Sequence, residues 1–380
     1  TKAAPVLFCA HDTGHLCLLA QVARLALPTL RWSNFSKIRT FEEEFMRSLK
    51  AMLASLAMVT ALGAGVAQAA DPVKIRLSWV APVSNWGSIL LEKKDLAKHL
   101  GKSYTLETIR FAGTPPLVTA LAAGEIEIAN FTFSTLPIAI QNAGISDLVV
   151  IADEFQDGVE GWYSNEFSVL KDGPIKKIAD LKGKAVATNA AGSAVDVAMR
   201  AMLRKNGLED KRDYTVVEAP FPAMRAMLAD KKVDLITAVR PFSLDPELKK
   251  ISSPLFTTRD AVGATQFSMW TVRKSFLDKN RAAMQDFMED SLRIVKWYLD
   301  PKNAKEVAEI ASRVTKQPPE RFGWLFTKED NYRDPDMKPN LVALQANMDT
   351  MKQLGFVKDS LDIKKHSDLS LIEEANKRLK

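Results

Sequence analysis

A chain of 380 residues, 47% of them apolar, has enough material for two compact units and a large core. Its net charge is +6, with 52 basic and 46 acidic residues and no basic stripe, which argues against nucleic acid as a partner. Both cysteines, Cys9 and Cys17, lie near the start, so a disulfide, a thiolate metal site or a cysteine nucleophile is excluded from residue 70 onward.

Residues 46–50 are a short basic start, 51–66 are apolar and uncharged, and Ala67-Gln68-Ala69 places small residues where a signal peptidase reads them. The pattern predicts a secretory signal peptide over 46–69, cleaved after Ala69. Its apolar run is shorter than the roughly twenty residues a membrane anchor needs. Residues 1–45 are then expected to be a non-native or disordered upstream extension, in which Cys9, His11, Cys17 and His15 resemble a metal cluster only in composition. No cysteine follows the cleavage site to take a lipid, so the mature protein is expected to be released into a periplasm.

Alternation of apolar and charged residues predicts a first strand over 73–79, followed by a loop with Ser84, Asn85 and Trp86 and a helix over 88–100. Residues 105–140 read as strand, turn, helix, strand, turn, helix. Thr114 and Thr132-Phe133-Ser134 stand at the helix starts, where free N–H groups would meet an anion at the carboxyl edge of a sheet. A buried strand is expected over 147–153, and the acids Asp153, Glu154, Asp157 and Glu160 after it read as a solvated loop. The pattern starts afresh with a strand at 185–188, a turn at 189–193, a helix at 194–205, a strand at 214–218, a helix at 222–229 and a strand at 233–239. Residues 263–272 are β-prone and read as a return crossing. Beyond them the stripes of Met284, Phe287, Met288 and Leu292 and of Leu344, Met348 and Met351 predict core-facing helices.

The expected fold class is α/β, two lobes of mostly parallel sheet with flanking helices, joined by two hinge crossings near 158–167 and 263–266. The expected division is 70–163 for the first part of lobe 1, 164–264 for lobe 2, and 265–380 for the return segment and C-terminal helices of lobe 1. Enzyme signatures are weak. His99 and His366 are placed in no nucleophile-and-base arrangement, and no H-E-x-x-H, G-x-S-x-G or phosphate loop occurs.

The stretch Phe111-Ala112-Gly113-Thr114 followed by Ala122-Ala123-Gly124-Glu125-Ile126-Glu127 resembles the "small-residue turn, helix, A-x-G-E-x-D" block of periplasmic solute-binding proteins of the sulfonate, taurine and nitrate type. Asp180-Leu181-Lys182-Gly183-Lys184, then Gly192-Ser193, then Ala226 to Leu235 is similar to that family's second block. The resemblance implies a type II periplasmic binding fold that captures a small solute for an inner-membrane permease and its ATPase, acting as a monomer without cofactor or metal. It carries pocket positions over to Ser84, Asn85 and Trp86, to Thr114, to Phe133 and Ser134, to Gly192 and Ser193, and to the segment after the strand at 233–239. There Val239-Arg240-Pro241-Phe242 departs from the family's aromatic-x-x-P run. Asn189 lies in the same turn as Gly192 and Ser193, and Trp79, Phe131 and Phe242 are candidate walls for an apolar ligand body. Arg240 would form a two-pronged bond with an acid or pair on the surface with Asp245 or Glu247. Rival readings are a binding protein for a thiamine-precursor pyrimidine, an enzyme of the same fold acting on a small acid, and a sensor module.

Overall fold

The computed structural model describes residues 71–380, part of a compact unit spanning Ala70–Lys380. The expected signal peptide and the extension before it lie outside the described residues. The strands are β1 (Val73–Trp79), β2 (Tyr104–Arg110), β3 (Ile128–Thr132), β4 (Leu148–Asp157), β5 (Glu166–Leu170), β6 (Lys184–Thr188), β7 (Tyr214–Glu218), β8 (Ile236–Ala238), β9 (Ser252–Thr257) and β10 (Thr265–Arg273). The helices that matter here are α1 (Pro115–Ala122), α2 (Thr135–Gln141), α3 (Ala194–Lys205), α4 (Thr258–Val262), α5 (Arg281–Leu299), α6 (Ala304–Thr315) and α7 (Leu341–Gln353).

Strand direction organises both lobes. The first sheet has the order β2-β1-β3-β10-β4; β1 is parallel to β2 and β3, while β10 is antiparallel to β3 and β4. Four strands therefore point one way and β10 alone opposes them. In the second lobe β5 is antiparallel to β8 and β9, β6 is parallel to β7, and a parallel bridge from Val186 to Leu235 joins the two groups. There β5 alone opposes. The two opposing strands are those that carry the chain between lobes. A strand that starts at the seam runs away from it, whereas the other strands end there, so the carboxyl edges of both sheets face each other.

The crossings are 158–165, between β4 and β5, and α4 with Gly263 and Ala264, between β9 and β10. At Gly158, which has φ of +79°, an added Cβ would lie 2.9 Å from the Gly263 carbonyl oxygen. Only glycine allows that close approach.

One core cluster joins Phe131, Phe133, Phe267, Leu344 and Met348 to lobe-2 residues such as Phe167, Val186 and Val197. A second, containing Ile75, Leu77, Trp86, Tyr104, Trp270, Phe287 and Leu292, covers the other face of the first sheet. The Met residues of both helical stripes are fully buried, as their 3.6-residue spacing implies.

Two local expectations change. In place of a helix over 88–100 the chain forms short 3-10 turns, Trp86–Ser88 and Leu90–Leu96, kinked at Lys93. Asp290 on α5 holds the backbone just past the last turn. Its buried carboxylate accepts the backbone N–H of Lys98 (3.0 Å) and His99 (2.8 Å), groups that a continuing helix would have bonded internally. The same carboxylate takes the Tyr104 hydroxyl at 3.0 Å and the Arg293 guanidinium at 2.6 Å. The second change is β4, which runs to Asp157, so Asp153, Glu154 and Asp157 are strand residues with at most 1% exposure and only Glu160 lies in solvent. Each buried acid has its own donors, which offsets the cost of burial.

Asp290→Ala would leave the buried Tyr104 hydroxyl and the Lys98 and His99 N–H groups without their acceptor, while Arg293 keeps Glu289 at 2.5 Å, and is expected to cost about 2–3 kcal/mol in denaturant unfolding. A loss below about 1 kcal/mol would show that Asp290 does not hold the 97–99 backbone.

Candidate functional site

The cleft lies where the carboxyl edges meet. Loop 80–86 forms its floor, and Asn85 shapes that loop by accepting the Val80 and Ala81 N–H groups at 3.0 and 2.7 Å. Glu154 holds the loop in turn: its carboxylate accepts from Asn85 Nδ2 at 2.8 Å, Trp86 N at 2.9 Å and Ser268 Oγ at 2.5 Å. Burial pushes the Glu154 carboxyl above its ordinary pKa, with those three donors pulling the other way.

A chain of hydroxyls runs up the lobe-1 side. Thr135 Oγ1 donates to Thr114 Oγ1 at 2.8 Å, Thr132 lies 2.9 Å from Thr135 and 3.1 Å from Ser134, and Ser134 Oγ donates to the Gly192 carbonyl at 2.9 Å. That last bond spans the lobes. A second spanning contact runs from Asn189 Nδ2 to the Ala112 carbonyl at 3.4 Å, where an added Cβ on Gly113 would come within 2.9 Å of the amide. Ser193 caps α3 by accepting the Asp196 N–H at 3.4 Å, and its hydroxyl donates to Asn189 Oδ1 at 2.8 Å. Ser134 and Thr114 precede α2 and α1 without a side-chain cap bond.

Arg240 projects from the loop after β8. It is 8% exposed, and its guanidinium stacks on Tyr163 at 3.5 Å from the ring centroid. Nε donates to the Glu329 carbonyl at 2.9 Å and Nη1 to Ser243 Oγ at 2.6 Å, while the Arg240 carbonyl accepts from Ser84 Oγ at 3.1 Å. The peptide bond to Pro241 is cis. Asp245 pairs with Arg225 at 2.9 Å and Glu247 with Lys250 at 2.7 Å, so the surface pairing expected for Arg240 does not form. Among the described residues Arg240 has no carboxylate partner, and it is the one ionisable side chain on the cleft wall. The cleft has a cavity volume of about 60 Å³.

Of the residues singled out in the sequence, Ser84, Asn85, Thr114, Asn189, Ser193 and Arg240 line this cleft. Ser134 and Gly192 meet at the seam. Trp86, Phe131 and Phe133 are at most 1% exposed and belong to the core: Trp86 stacks on Phe326 at 5.4 Å, and Phe133 packs edge-on to Phe267 at 6.2 Å. Trp79 and Phe242 face a separate groove. The aromatic walls are supplied instead by Phe155, Phe221 and Phe267, and further amide and hydroxyl groups by Asn130, Thr132, Asn165, Ser268 and Asn331. Phe221 follows β7 inside lobe 2 and Phe267 lies on β10 just past the second crossing, and neither carries a pattern that marks it as a wall; Asn331 comes from an irregular segment with no pattern to mark it.

The model of the NMT1-like family matches residues 68–312. The chain belongs to the NMT1-like family. No curated protein matches this member. Its fold is that of solved solute-binding proteins. The alkanesulfonate-binding protein SsuA from Xanthomonas axonopodis pv. citri, bound to MOPS, superposes with a TM-score of 0.62 at 19% identity over 80% of this chain and 100% of that one. The periplasmic nitrate-binding protein NrtA from Synechocystis PCC 6803 gives 0.63 at 17% identity, covering 81% and 89%. The desulfurization enzyme DSZB gives 0.58 at 13% identity, covering 81% and 100%. These likenesses fix the two-lobed architecture for this NMT1-like chain.

Burial pushes the carboxyls of both Asp153 and Asp157 up to about 7 from 3.8, against donors that include Gln266 and Ser164. An acid whose folded pKa is raised binds protons on folding, so its stabilising share is full below the unfolded pKa and is lost as pH rises towards 7. Thermal unfolding scans are expected to show the melting temperature falling between about pH 4 and about pH 7, and Asp153→Asn flattening that slope. An unchanged slope in the variant would contradict the assignment.

Proposed function

We propose that this NMT1-like protein is the exported solute-binding subunit of an ATP-driven importer, and that it captures a small organic anion in the cleft. The observation that carries the reading is Arg240, a largely buried residue of the cleft wall with no acid within ion-pair distance among the described residues to supply a counter-charge, although the half-buried Glu166 feels its charge from farther off. A ligand carboxylate or sulfonate would supply that charge, and a planar fork of donors suits either group. The rest of the wall is neutral. Phe155, Phe221, Phe267 and Val239 favour an apolar body over bare nitrate, and Thr114, Ser193 and Asn165 are placed to take its polar edges.

Lobe 1 contributes Ser84 and Thr114, lobe 2 contributes Ser193 and Arg240. A solute that touches both sets stabilises the closed arrangement, with 158–165 and 258–264 as the segments that bend. The permease and ATPase of the importer would read the closed form, and the protein would work as a monomer in the periplasm after cleavage behind Ala69. The division into 70–163, 164–264 and 265–380 is part of the same reading. Ser268 bonded to the buried Glu154 is the nearest approach to a nucleophile and base in the cleft, but that carboxylate already accepts from Asn85 and Trp86 as well. A base so occupied favours capture over turnover.

Titration calorimetry of residues 70–380 against alkanesulfonates, aromatic carboxylates, nitrate and neutral pyrimidines is expected to find one organic anion bound in the micromolar range or tighter. Arg240→Gln should weaken it at least about 30-fold, because truncating one half of a buried charge pair costs roughly 2–5 kcal/mol. Circular dichroism of the variant checks its fold. Selection of a neutral pyrimidine, or binding unaffected by the substitution, would refute the anion reading, and a bound ligand recovered with altered mass would refute the pure carrier.

A further inference from the structure

A second cavity lies across the lobe seam outside the Arg240 cleft. Its cavity volume is about 400 Å³, against about 60 Å³ for the inner cleft. Trp79 and Arg110 at the carboxyl ends of β1 and β2 form one wall, Phe242 and Asp245 after β8 the second, and Arg321 and Trp324 after α6 the third. The Arg110 guanidinium lies 5.3 Å from the Trp79 ring centroid. Arg321 donates to Gln317 at 2.5 Å. Neither arginine is in an ion pair among the described residues, whereas the single acid of the groove, Asp245, is already paired with Arg225 at 2.9 Å.

We propose that this groove is a second anion site, one that takes an aromatic sulfonate or carboxylate. Indole and phenyl faces offer a stacking surface for a ring system, and the two guanidiniums at the rim offer charge-assisted donors for its acid group. Their combination selects for both features at once. The groove is a separate compartment: Phe242 stacks on Phe221 at 5.9 Å, and Phe221 is itself a wall of the inner cleft, so the pair stands between the two cavities. The Ser84 to Arg240 bond closes the partition beside it. Arg240 does not line the outer groove and lies behind its Trp324 wall, 5.8 Å from that ring centroid, so a guest's acid group there would meet Arg110 and Arg321 instead, and the site stands or falls apart from the capture reading.

The test is binding of naphthalene-2-sulfonate, with methanesulfonate as the ring-free control, measured by equilibrium dialysis and by quenching of tryptophan fluorescence on residues 70–380. Arg240→Gln is expected to keep a naphthalene-2-sulfonate site that weakens as salt is raised, as exposed charges require. The double variant R110Q/R321Q should weaken that site at least about tenfold, the effect of losing charge-assisted bonds, and Trp79→Leu should reduce the quench to the share contributed by Trp324. All three side chains are at least partly exposed, so the variants are expected to fold, and circular dichroism confirms it. Methanesulfonate bound as tightly as the naphthalene compound in the Arg240→Gln variant would overturn the aromatic selectivity. Loss of all naphthalene-2-sulfonate binding in Arg240→Gln, with binding intact in R110Q/R321Q, would overturn the second site while leaving the inner one standing.

Discussion

The buried carboxylate of Glu154 is the interaction on which the site depends. A carboxyl group buried on a strand is tolerated only when donors surround it, and here they come from loop 80–86 and from β10. One side chain thus binds the outgoing strand, the returning strand and the first loop of the fold into one piece. The loop then presents Ser84 to the Arg240 backbone across the seam. Without that anchor the floor of the cleft would be an ordinary surface turn, free to take many conformations.

The polar groups around the cleft divide into those already satisfied and those still free to meet a solute. Asn85 uses its oxygen on two backbone N–H groups and its amide on Glu154, so it builds the site more than it offers bonds to a guest. Asn189 is similarly engaged with Ser193 and Ala112. Arg240 is different. Its ring stack and two hydrogen bonds fix where the guanidinium sits, and among the described residues no carboxylate stands within ion-pair distance, Glu166 acting on it only from farther off. Position is set by neutral partners, and the electrostatic demand is left for whatever enters.

Much of this was legible in the sequence because the informative residues sit where backbone chemistry is constrained. Thr114, Asn189 and Ser193 follow small-residue turns at strand ends, and such turns at the carboxyl edge of a sheet face the cleft. The aromatic walls were not legible. All five residues of β3 are buried, so period-two alternation has no exposed face to set its phase, and nothing local assigns Phe131 to the core. The acids of β4 looked solvated because their donors are remote: Asn85 is 69 positions from Glu154, Ser268 is 114 away, and the Asp334 N–H that serves Asp153 is 181 away. A carboxylate among apolar residues carries no local sign that a partner will arrive. Asn331 was hidden for the same reason, since the irregular return that delivers it has no periodicity.

The contact at Gly158 has a mechanical meaning. With the carbonyl of Gly263 where a side chain would otherwise stand, the two connections between the lobes run against each other with no intervening atoms. They cannot flex as independent tethers. Twist in one is transmitted directly to its neighbour, so the pair works as a single axle, and the freedom left to the lobes is rotation about that line.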